Sequence, residues 1–281
     1  MGSRNSWWRR EFCTSAFPFL ALRSLFALDQ APEGVGSGTA LLLRLRDRRL
    51  LVADGFSVAQ HLVFPPGSTV KPFSLLALLE SGRLTADEGY ICPRRLTIAG
   101  RSFNCSHPLS PLPMNVSRAL AYSCNCAVAH FAERFRSGEL SRSLQRSGLA
   151  GFVRNGLTGP DCILQALGEE GVQVTAWEML GAYRRLANRV AERVVAPVIE
   201  GLEGAVEFGT ARAAWLDGIR VAGKTGSVRT SHNGYGAWFA GFAPSRAPEV
   251  VVTVLVAGRS GGADAAPIAR RLLRHYFAGR A

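Results

Sequence analysis

Strand-like apolar segments stand near both ends of the chain, with helical segments between them. Residues 38–45 (GTALLLRL) and 50–53 predict two strands joined by a charged turn. Three more short strands are predicted within GIRVAGKTGS, GAWFAGFAP and EVVVTVLVAG, close to the other end. These segments predict one antiparallel sheet built from both ends of the chain. The expected fold is α+β, a three-layer sandwich in which helices flank the sheet, with a helical subdomain at about residues 72–200.

Capping and turn residues predict where the main helices begin. FPPG breaks the chain, and Ser68 then opens an apolar helix that runs through Leu79. Asn115 is a suitable N-cap for a helix through VSRALAYSCN, which AVAHFAERF follows as a second helical segment. Thr175 and Glu178 form a capping box ahead of MLGAYRRLAN. Residues 265–277 predict a closing amphipathic helix.

Size and charge limit the classes of function. A chain of 281 residues can bury the core of one large domain, or of one domain with a smaller subdomain. The formal net charge of +12 is spread along the sequence and favours anionic surroundings, such as a phosphate-rich membrane surface or an acidic cell-wall polymer. Nucleic acid is not expected as a partner, because no recognised nucleic-acid motif or aromatic and basic stripe occurs.

The first 30 residues have the character of an export signal or an N-terminal anchor. Arg9 and Arg10 resemble a twin-arginine pair, and a modest apolar stretch follows them. Arg23 interrupts that stretch, which makes it short for a membrane span. We therefore expect the folded protein to begin after about residue 30 and to act in the periplasm or at the outer face of the cytoplasmic membrane.

Lysine is almost absent from a chain rich in basic residues. Of the 33 lysines and arginines, only Lys71 and Lys224 are lysines. Arginine stays protonated at any working pH, whereas a desolvated lysine can provide a neutral amine that acts as a base. The two lysines are therefore candidates for chemistry, although a general drift toward arginine would also leave a few survivors.

Each lysine lies in a short motif, and a third motif lies between them. The order is Ser68-Thr-Val-Lys71, then Ser123-Cys-Asn125, then Lys224-Thr-Gly. Each motif alone is weak, but the ordered set resembles the S-x-x-K, S-x-N and K-T-G set of the penicillin-binding transpeptidases and the related serine β-lactamases. The surrounding PPGSTVKPF, VAGKTGS and WFAGFAP are also similar to that family. The resemblance implies a penicillin-binding transpeptidase-like domain over residues 31–281.

The resemblance implies a role for each motif residue. Ser68 would be the nucleophile at a helix N-terminus, activated by Lys71 one helical turn along. Ser123 would relay a proton to the leaving group, and Asn125 would hydrogen-bond Lys71 and the substrate amide. In the third motif Lys224 and Thr225 would bind the substrate carboxylate, and Gly226 would let the substrate lie along the strand edge. The backbone N–H groups of Ser68 and Ser227 would form the oxyanion hole. The alternative for each motif is structural: an N-cap serine, a surface lysine, a helix end and a simple turn.

The implied reaction is acyl transfer on D-alanyl-D-alanine peptides of peptidoglycan, through a Ser68 acyl-enzyme. Peptidoglycan stem peptides and β-lactam antibiotics are the expected partners, and other cell-wall enzymes or a membrane surface are further candidates. We favour a transpeptidase over a β-lactamase or carboxypeptidase, because no segment resembles the glutamate-bearing loop of class A β-lactamases. A non-catalytic sensor or scaffold that binds β-lactam or peptidoglycan is the alternative from another class.

Two positions depart from the usual pattern of the family. Ser227 stands where threonine is commoner after K-T-G, which keeps the hydroxyl. Glu169 and Glu170 replace the usual Gly-Gln-Gly style turn, which puts the standard substrate contacts at that turn in doubt.

The cysteines suggest a structural site, although no cofactor is expected to be required. Cys92 and Cys105 bracket a short predicted hairpin, and export would permit a disulfide between them. A second interpretation is a structural zinc held by Cys92, Cys105, His107 and Cys124, because some transpeptidases show a similar series. Free thiols are the third interpretation.

Overall fold

A five-stranded antiparallel sheet is the central layer of the structure, a computed structural model that describes residues 38–109, 112–229 and 234–279. Its strand order is β2-β1-β9-β8-β7, so strands from both ends of the chain pair directly, as predicted. The predicted export signal, with Cys13 in it, lies outside the described residues. The strands are β1 (Thr39–Arg44), β2 (Leu50–Asp54), β3 (Thr97–Ile98), β4 (Arg101–Ser102), β5 (Phe152–Val153), β6 (Val172–Gln173), β7 (Ala222–Arg229), β8 (Tyr235–Ala243) and β9 (Val250–Ala257).

Helices cover both faces of the sheet, which confirms the predicted α+β sandwich. In a strand, successive side chains point to opposite faces. Leu41 of β1 therefore packs in one core with helices α2 and α7, whereas Leu42 packs in the other core with α9. The α-helices are α1 (Phe56–His61), α2 (Lys71–Glu80), α3 (Val116–Ala121), α4 (Asn125–Ala132), α5 (Glu139–Arg146), α6 (Gly159–Leu167), α7 (Ala176–Ala187), α8 (Ala196–Glu207) and α9 (Ala266–Ala278).

The predicted caps fix the ends of two helices. The Thr175 hydroxyl accepts a hydrogen bond from the backbone N–H of Glu178 at 3.1 Å, and the Glu178 carboxylate accepts one from the backbone N–H of Thr175 at 2.9 Å. Asn115 caps α3 by accepting from the backbone N–H of Arg118 at 3.0 Å. Such caps contribute about 1 kcal/mol each. The helix that Asn115 opens is shorter than predicted and ends at Ala121.

No helix in the described part of the chain has both the length and the apolar character needed to cross a bilayer.

Candidate active site

Ser68 lies in a short 3₁₀ turn, Gly67–Val70, that leads directly into α2. Gly67 has a positive φ of 52°, and a Cβ atom there would lie 2.8 Å from a methyl group of Val228. Both observations require glycine, because other residues rarely adopt this φ and would also clash with β7. Gly67 therefore lets the Ser68 turn pack closely against the edge strand β7.

Side chains from the rest of the core hold the Ser68 turn in place. The Trp238 indole donates a hydrogen bond to the carbonyl of Pro65 at 2.9 Å, and the buried Tyr183 hydroxyl donates to the carbonyl of Thr69 at 3.0 Å. The Thr69 hydroxyl donates to the carbonyl of Pro66 at 2.6 Å. These bonds satisfy carbonyl groups around Ser68 and restrict its backbone.

Lys71 is fully buried at the start of α2, and its amine faces the second motif. Its Nζ donates to the carbonyl and the hydroxyl of Ser123, at 3.0 and 3.3 Å, and to Oδ1 of Asn125 at 2.5 Å. Within the described residues no hydrogen bond joins it to the Ser68 hydroxyl. Burial lowers the pKa of Lys71 to about 8, so about a tenth of the amine would be neutral at pH 7.

Ser123 lies in the turn between α3 and α4 with a positive φ of 53°. This conformation is costly for a residue other than glycine, and such strain collects at functional sites. It places both the carbonyl and the hydroxyl of Ser123 on Lys71. The next residue, Cys124, caps α4 with its sulfur, which accepts from the backbone N–H of Ala127 at 3.4 Å.

Asn125 connects Lys71 to the hairpin formed by β3 and β4. Its Oδ1 accepts from Lys71, and its Nδ2 donates to the carbonyl of Phe103 at 2.9 Å. The predicted bond to Lys71 is present, whereas the side-chain donor expected for a substrate amide is bonded to the hairpin. No sequence pattern indicated the Phe103 contact, because it involves a backbone carbonyl.

The third motif lies on β7, at the edge of the sheet. Lys224 is fully buried, and its Nζ donates to the carbonyl of Thr225 at 3.1 Å. Burial, together with the nearby charge of Lys71, lowers the pKa of Lys224 well below its ordinary value. The Thr225 hydroxyl donates to that of Thr210 at 3.0 Å, a partner that no sequence pattern indicated. Two lysines therefore influence each other in one site.

Gly226 has a packing role that its motif did not indicate. A Cβ atom there would lie 2.7 Å from the carbonyl oxygen of Pro66 and 3.2 Å from the Thr69 methyl group. The missing side chain therefore makes room for the Ser68 turn, and the expected role in substrate alignment stays a prediction. The backbone nitrogen of Ser227 lies beside Gly67, 3.6 Å from where a Cβ atom of residue 67 would be. The hydroxyl of Ser227 accepts a hydrogen bond from the backbone N–H of Gly261 at 3.0 Å.

Three cysteine side chains and one histidine side chain lie close together beside the second motif, Ser123-Cys124-Asn125. One ligand atom from each lies within 4.8 Å of the others, in the set Cys92, Cys105, His107 and Cys124. The sulfurs of Cys105 and Cys124 are 3.8 Å apart, which is about the edge of a tetrahedron with zinc–sulfur bonds of about 2.3 Å. The cysteines of the described residues are free thiols, so the Cys92–Cys105 disulfide is not formed.

The environment of His107 fits a metal ligand. Its Nδ1 lies 2.9 Å from the carbonyl of Pro108, which a protonated Nδ1 satisfies, and its buried Nε2 has no hydrogen-bond partner in the described residues. A buried lone pair without a partner is costly unless a proton donor or a metal ion meets it. A fourth cysteine, Cys126, also reaches the cluster, with its sulfur 3.5 Å from that of Cys105. Cys126 is not among the ligands that the sequence predicts.

Comparison with known proteins defines the class to which this fold and site belong. The family model for the penicillin binding protein transpeptidase domain matches residues 58–274. The chain belongs to this family. It is 26% identical over 264 residues to the peptidoglycan D,D-transpeptidase PbpA of Mycolicibacterium smegmatis, with 74% of this chain and 54% of that protein covered. The chain thus spans about half the length of this curated relative.

Solved structures share the fold. The transpeptidase domain of Burkholderia pseudomallei penicillin-binding protein 3 is 19% identical and superposes with a TM-score of 0.73 over 86% of this chain and 88% of that one. An imipenem acyl-enzyme complex of penicillin-binding protein A from M. tuberculosis is 20% identical, with a TM-score of 0.68 over 85% of this chain and 73% of that one.

Proposed function

We propose that this chain is a serine acyltransferase that acts on D-alanyl-D-alanine stem peptides of peptidoglycan through a Ser68 acyl-enzyme, and that it cross-links the cell wall. The observation that carries the proposal is the buried Lys71 amine, which bonds Ser123 and Asn125 and has a pKa of about 8. A lysine used only for surface charge would be solvated. A buried lysine whose pKa approaches the working pH is suited to general-base catalysis.

Acylation begins when Ser68 Oγ attacks the penultimate carbonyl carbon. The Ser68 proton passes to the neutral Lys71 amine, and this transfer requires a Ser68–Lys71 contact that substrate binding brings about. The backbone N–H groups of Ser68 and Ser227 stabilise the oxyanion. Ser123, which accepts a hydrogen bond from Lys71, returns a proton to the leaving amine of the terminal D-alanine. A second amine then attacks the ester and completes the cross-link.

The substrate carboxylate pairs with Lys224 and Thr225, and its backbone extends the sheet at β7. An edge strand offers backbone groups to an added strand, and β7 is the edge beside Ser68. The charge of Lys71 lowers the pKa of the buried Lys224, so a carboxylate that binds Lys224 relieves this repulsion. The same anion preference fits the carboxylate of a β-lactam.

We also propose that the cluster of Cys92, Cys105, His107 and Cys124 holds a structural zinc ion. When bound, the ion would supply a rigid cross-link between the loop that carries β3 and β4 and the start of α4. The two residues that flank Cys124, Ser123 and Asn125, both contact Lys71. The cluster therefore supports the second motif through Cys124, its middle residue.

The reaction requires peptidoglycan, which places the proposed activity outside the cytoplasm. The predicted export signal in residues 1–30 and the net charge of +12 agree with this location, where anionic cell-wall polymers and lipid headgroups are available.

Labelling with a fluorescent penicillin tests the proposal. We expect the intact protein to form a covalent adduct, mapped to Ser68 by peptide mass spectrometry, and Ser68→Ala to form none. Ser81→Ala is the matched control, because Ser81 caps the other end of α2 and its hydroxyl donates to the carbonyl of Leu78. Absence of labelling in a folded protein would contradict the proposal and favour a scaffold. Release of the label within seconds would favour a β-lactamase.

A further inference from the structure

The turn that follows α6 is docked directly on the residue before the nucleophile. Gly168 ends α6 with a positive φ of 81°, and a Cβ atom there would lie 2.1 Å from the carbonyl oxygen of Gly67. The backbone N–H of Gly67 donates to the carbonyl of Gly168 at 3.0 Å. Glu169, the next residue along the chain, is thereby fixed close to Ser68.

The side chain of Glu169 is mostly buried but not hydrogen-bonded. It is 23% exposed, and Arg101 Nη2 approaches its carboxylate only to 3.9 Å. Within the described residues no donor hydrogen-bonds this carboxylate, because Arg101 donates to Glu170 instead. By contrast the carboxylates of Glu139, Glu178 and Glu203 accept hydrogen bonds from arginine or backbone donors. Mostly buried carboxylates are normally bonded, so the free lone pairs of Glu169 are available to a small molecule.

The charges that face Glu169 come from three elements. They are Lys71 on α2, Arg101 on β4 and the neighbouring Glu170. Burial raises the pKa of Glu169, and the two cations oppose that increase. The carboxylate thus lies within the electrostatic reach of the lysine that serves Ser68, and its pKa is raised from the ordinary value of a glutamate.

We infer that Glu169 is the general base that activates water for hydrolysis of the Ser68 acyl-enzyme, so that this site releases acyl groups to water as well as to amines. The inference rests on the proposed acyl-enzyme. The Glu169 carboxylate takes a proton from water while the water oxygen bonds to the acyl carbonyl carbon. The bond from that carbon to Ser68 Oγ then breaks, and the proton returns to Ser68 Oγ through Glu169 and Lys71. The products are a free carboxylic acid and the Ser68 hydroxyl.

A single carboxylate base suits water better than an amine. An acceptor amine arrives mostly as an ammonium ion, which must lose one proton before it can attack and a second one as the new bond forms. Water carries no charge and needs only a base. The glutamine of the usual Gly-Gln-Gly style turn could not accept the proton. Glu169 at this position therefore supplies a base that glutamine would not.

Pre-steady-state kinetics with an N-acyl-D-alanyl thioester separate acylation from hydrolysis. Glu169→Gln is compared with Glu170→Gln, a neighbouring glutamate that is 50% exposed and bonded to Arg101. We expect Glu169→Gln to acylate within about threefold of the unchanged protein and to hydrolyse the acyl-enzyme about 100-fold more slowly, as loss of a general base does. The stalled acyl-enzyme should be visible by intact mass spectrometry, and Glu170→Gln should hydrolyse normally.

The pH profile provides a second readout. Hydrolysis by the unchanged protein should rise with pH through the pKa of Glu169, and this limb should be missing in Glu169→Gln. The inference is overturned if Glu169→Gln hydrolyses the acyl-enzyme at the normal rate, if Glu170→Gln is slowed equally, or if only aminolysis by added D-alanine falls. Failure of the unchanged protein to acylate at Ser68 would instead contradict the proposed function.

Discussion

The site has two borders of opposite construction, which we call the strand wall (residues 222–229, strand β7) and the hairpin wall (residues 91–105, with β3 and β4). Six of the eight residues in the strand wall are buried, and its whole length pairs with β8. In the hairpin wall only Ile98 and Cys105 are buried, and its two strands pair at two positions. Arg94 and Ala99 also adopt positive φ values there. Pairing with the rest of the sheet can therefore hold the strand wall in place, whereas the hairpin wall needs another cross-link.

The largest effect is expected when the proposed zinc site, which would hold the hairpin wall in place, is removed. Cys124→Ser deletes one proposed zinc ligand, so we expect bound zinc to fall from about one equivalent to none, because structural zinc sites depend on all four ligands. The amides of Phe103 and Cys105, which donate to Leu96 and Arg94, should then lose protection by about 3 kcal/mol in hydrogen exchange. Amides of β8 and β9 should remain protected.

Cys162→Ser is the control, because Cys162 is a buried cysteine of α6 outside the cluster. It should leave the zinc content and the protection of the hairpin wall unchanged. Equal protection of the hairpin wall in Cys124→Ser and in the unchanged protein would show that the wall does not depend on the cluster.

The strand wall is best disturbed at its contact with the Ser68 turn. Gly226→Ala places a methyl group 2.7 Å from the carbonyl oxygen of Pro66, so we expect the free energy of unfolding to fall by about 2 kcal/mol. Penicillin labelling should slow at least tenfold, since the turn that carries Ser68 must move. Urea unfolding and labelling kinetics measure the two effects.

Gly181→Ala provides the matched control for this substitution. Gly181 is within α7, and its added methyl group meets only the end of the Arg185 side chain, at 3.5 Å. Alanine is the better helix former, so this variant should gain up to about 1 kcal/mol. If both glycine variants behaved alike, close packing of the strand wall on the turn would not limit acylation.

The difference between the walls also explains what the sequence could predict. Periodic apolar segments predicted the sheet and its strands from both ends, and local polar signals predicted the caps at Asn115 and Thr175. The three motifs predicted that Lys71 and Lys224 belong to one site. Each of these signals lies within a short segment of sequence, or depends on a residue type whose chemistry suits a particular role.

Contacts set by tertiary packing were not predictable in this way. The glutamates at positions 169 and 170 depart from the family pattern in the sequence, yet only the docking of Gly168 on Gly67 places Glu169 near Lys71. The left-handed turn at Ser123 and the hairpin carbonyl that bonds Asn125 are backbone features without a residue signature. Such contacts depend on how distant segments meet, and no periodicity encodes that.

A smaller effect, on the pH dependence of stability, is expected from Lys71. This lysine bonds Asn125, which in turn bonds the hairpin wall at Phe103. The pKa of Lys71 is about 8 in the folded protein and about 10.5 in an unfolded chain. Between these values the unfolded state binds more protons, so the free energy of unfolding should rise with pH from 8 to 10.5, by roughly 2 kcal/mol. Lys71→Met should lose the Lys71 contribution to this rise in urea unfolding, and the buried Lys224, whose pKa is also lowered, should keep its own. Arg136→Met, which removes an exposed cation outside the site, should keep the full rise. An unchanged slope in Lys71→Met would contradict the lowered pKa.

The smallest effect on stability is expected at the ion pair that joins the hairpin wall to the Glu169 turn. Arg101 is 47% exposed, and exposed pairs contribute less than about 1 kcal/mol. Arg101→Ala should therefore unfold much like Asp47→Ala, which removes another exposed pair, with Arg44. The chemistry should respond more than the stability does. Arg101 is one of two cations that lower the pKa of Glu169, so its loss should move the pH midpoint of acyl-enzyme hydrolysis upward. The midpoint should not move in Asp47→Ala. An unchanged midpoint in Arg101→Ala would mean that Arg101 does not affect the pKa of the base responsible for hydrolysis. That result would contradict the role assigned to Glu169.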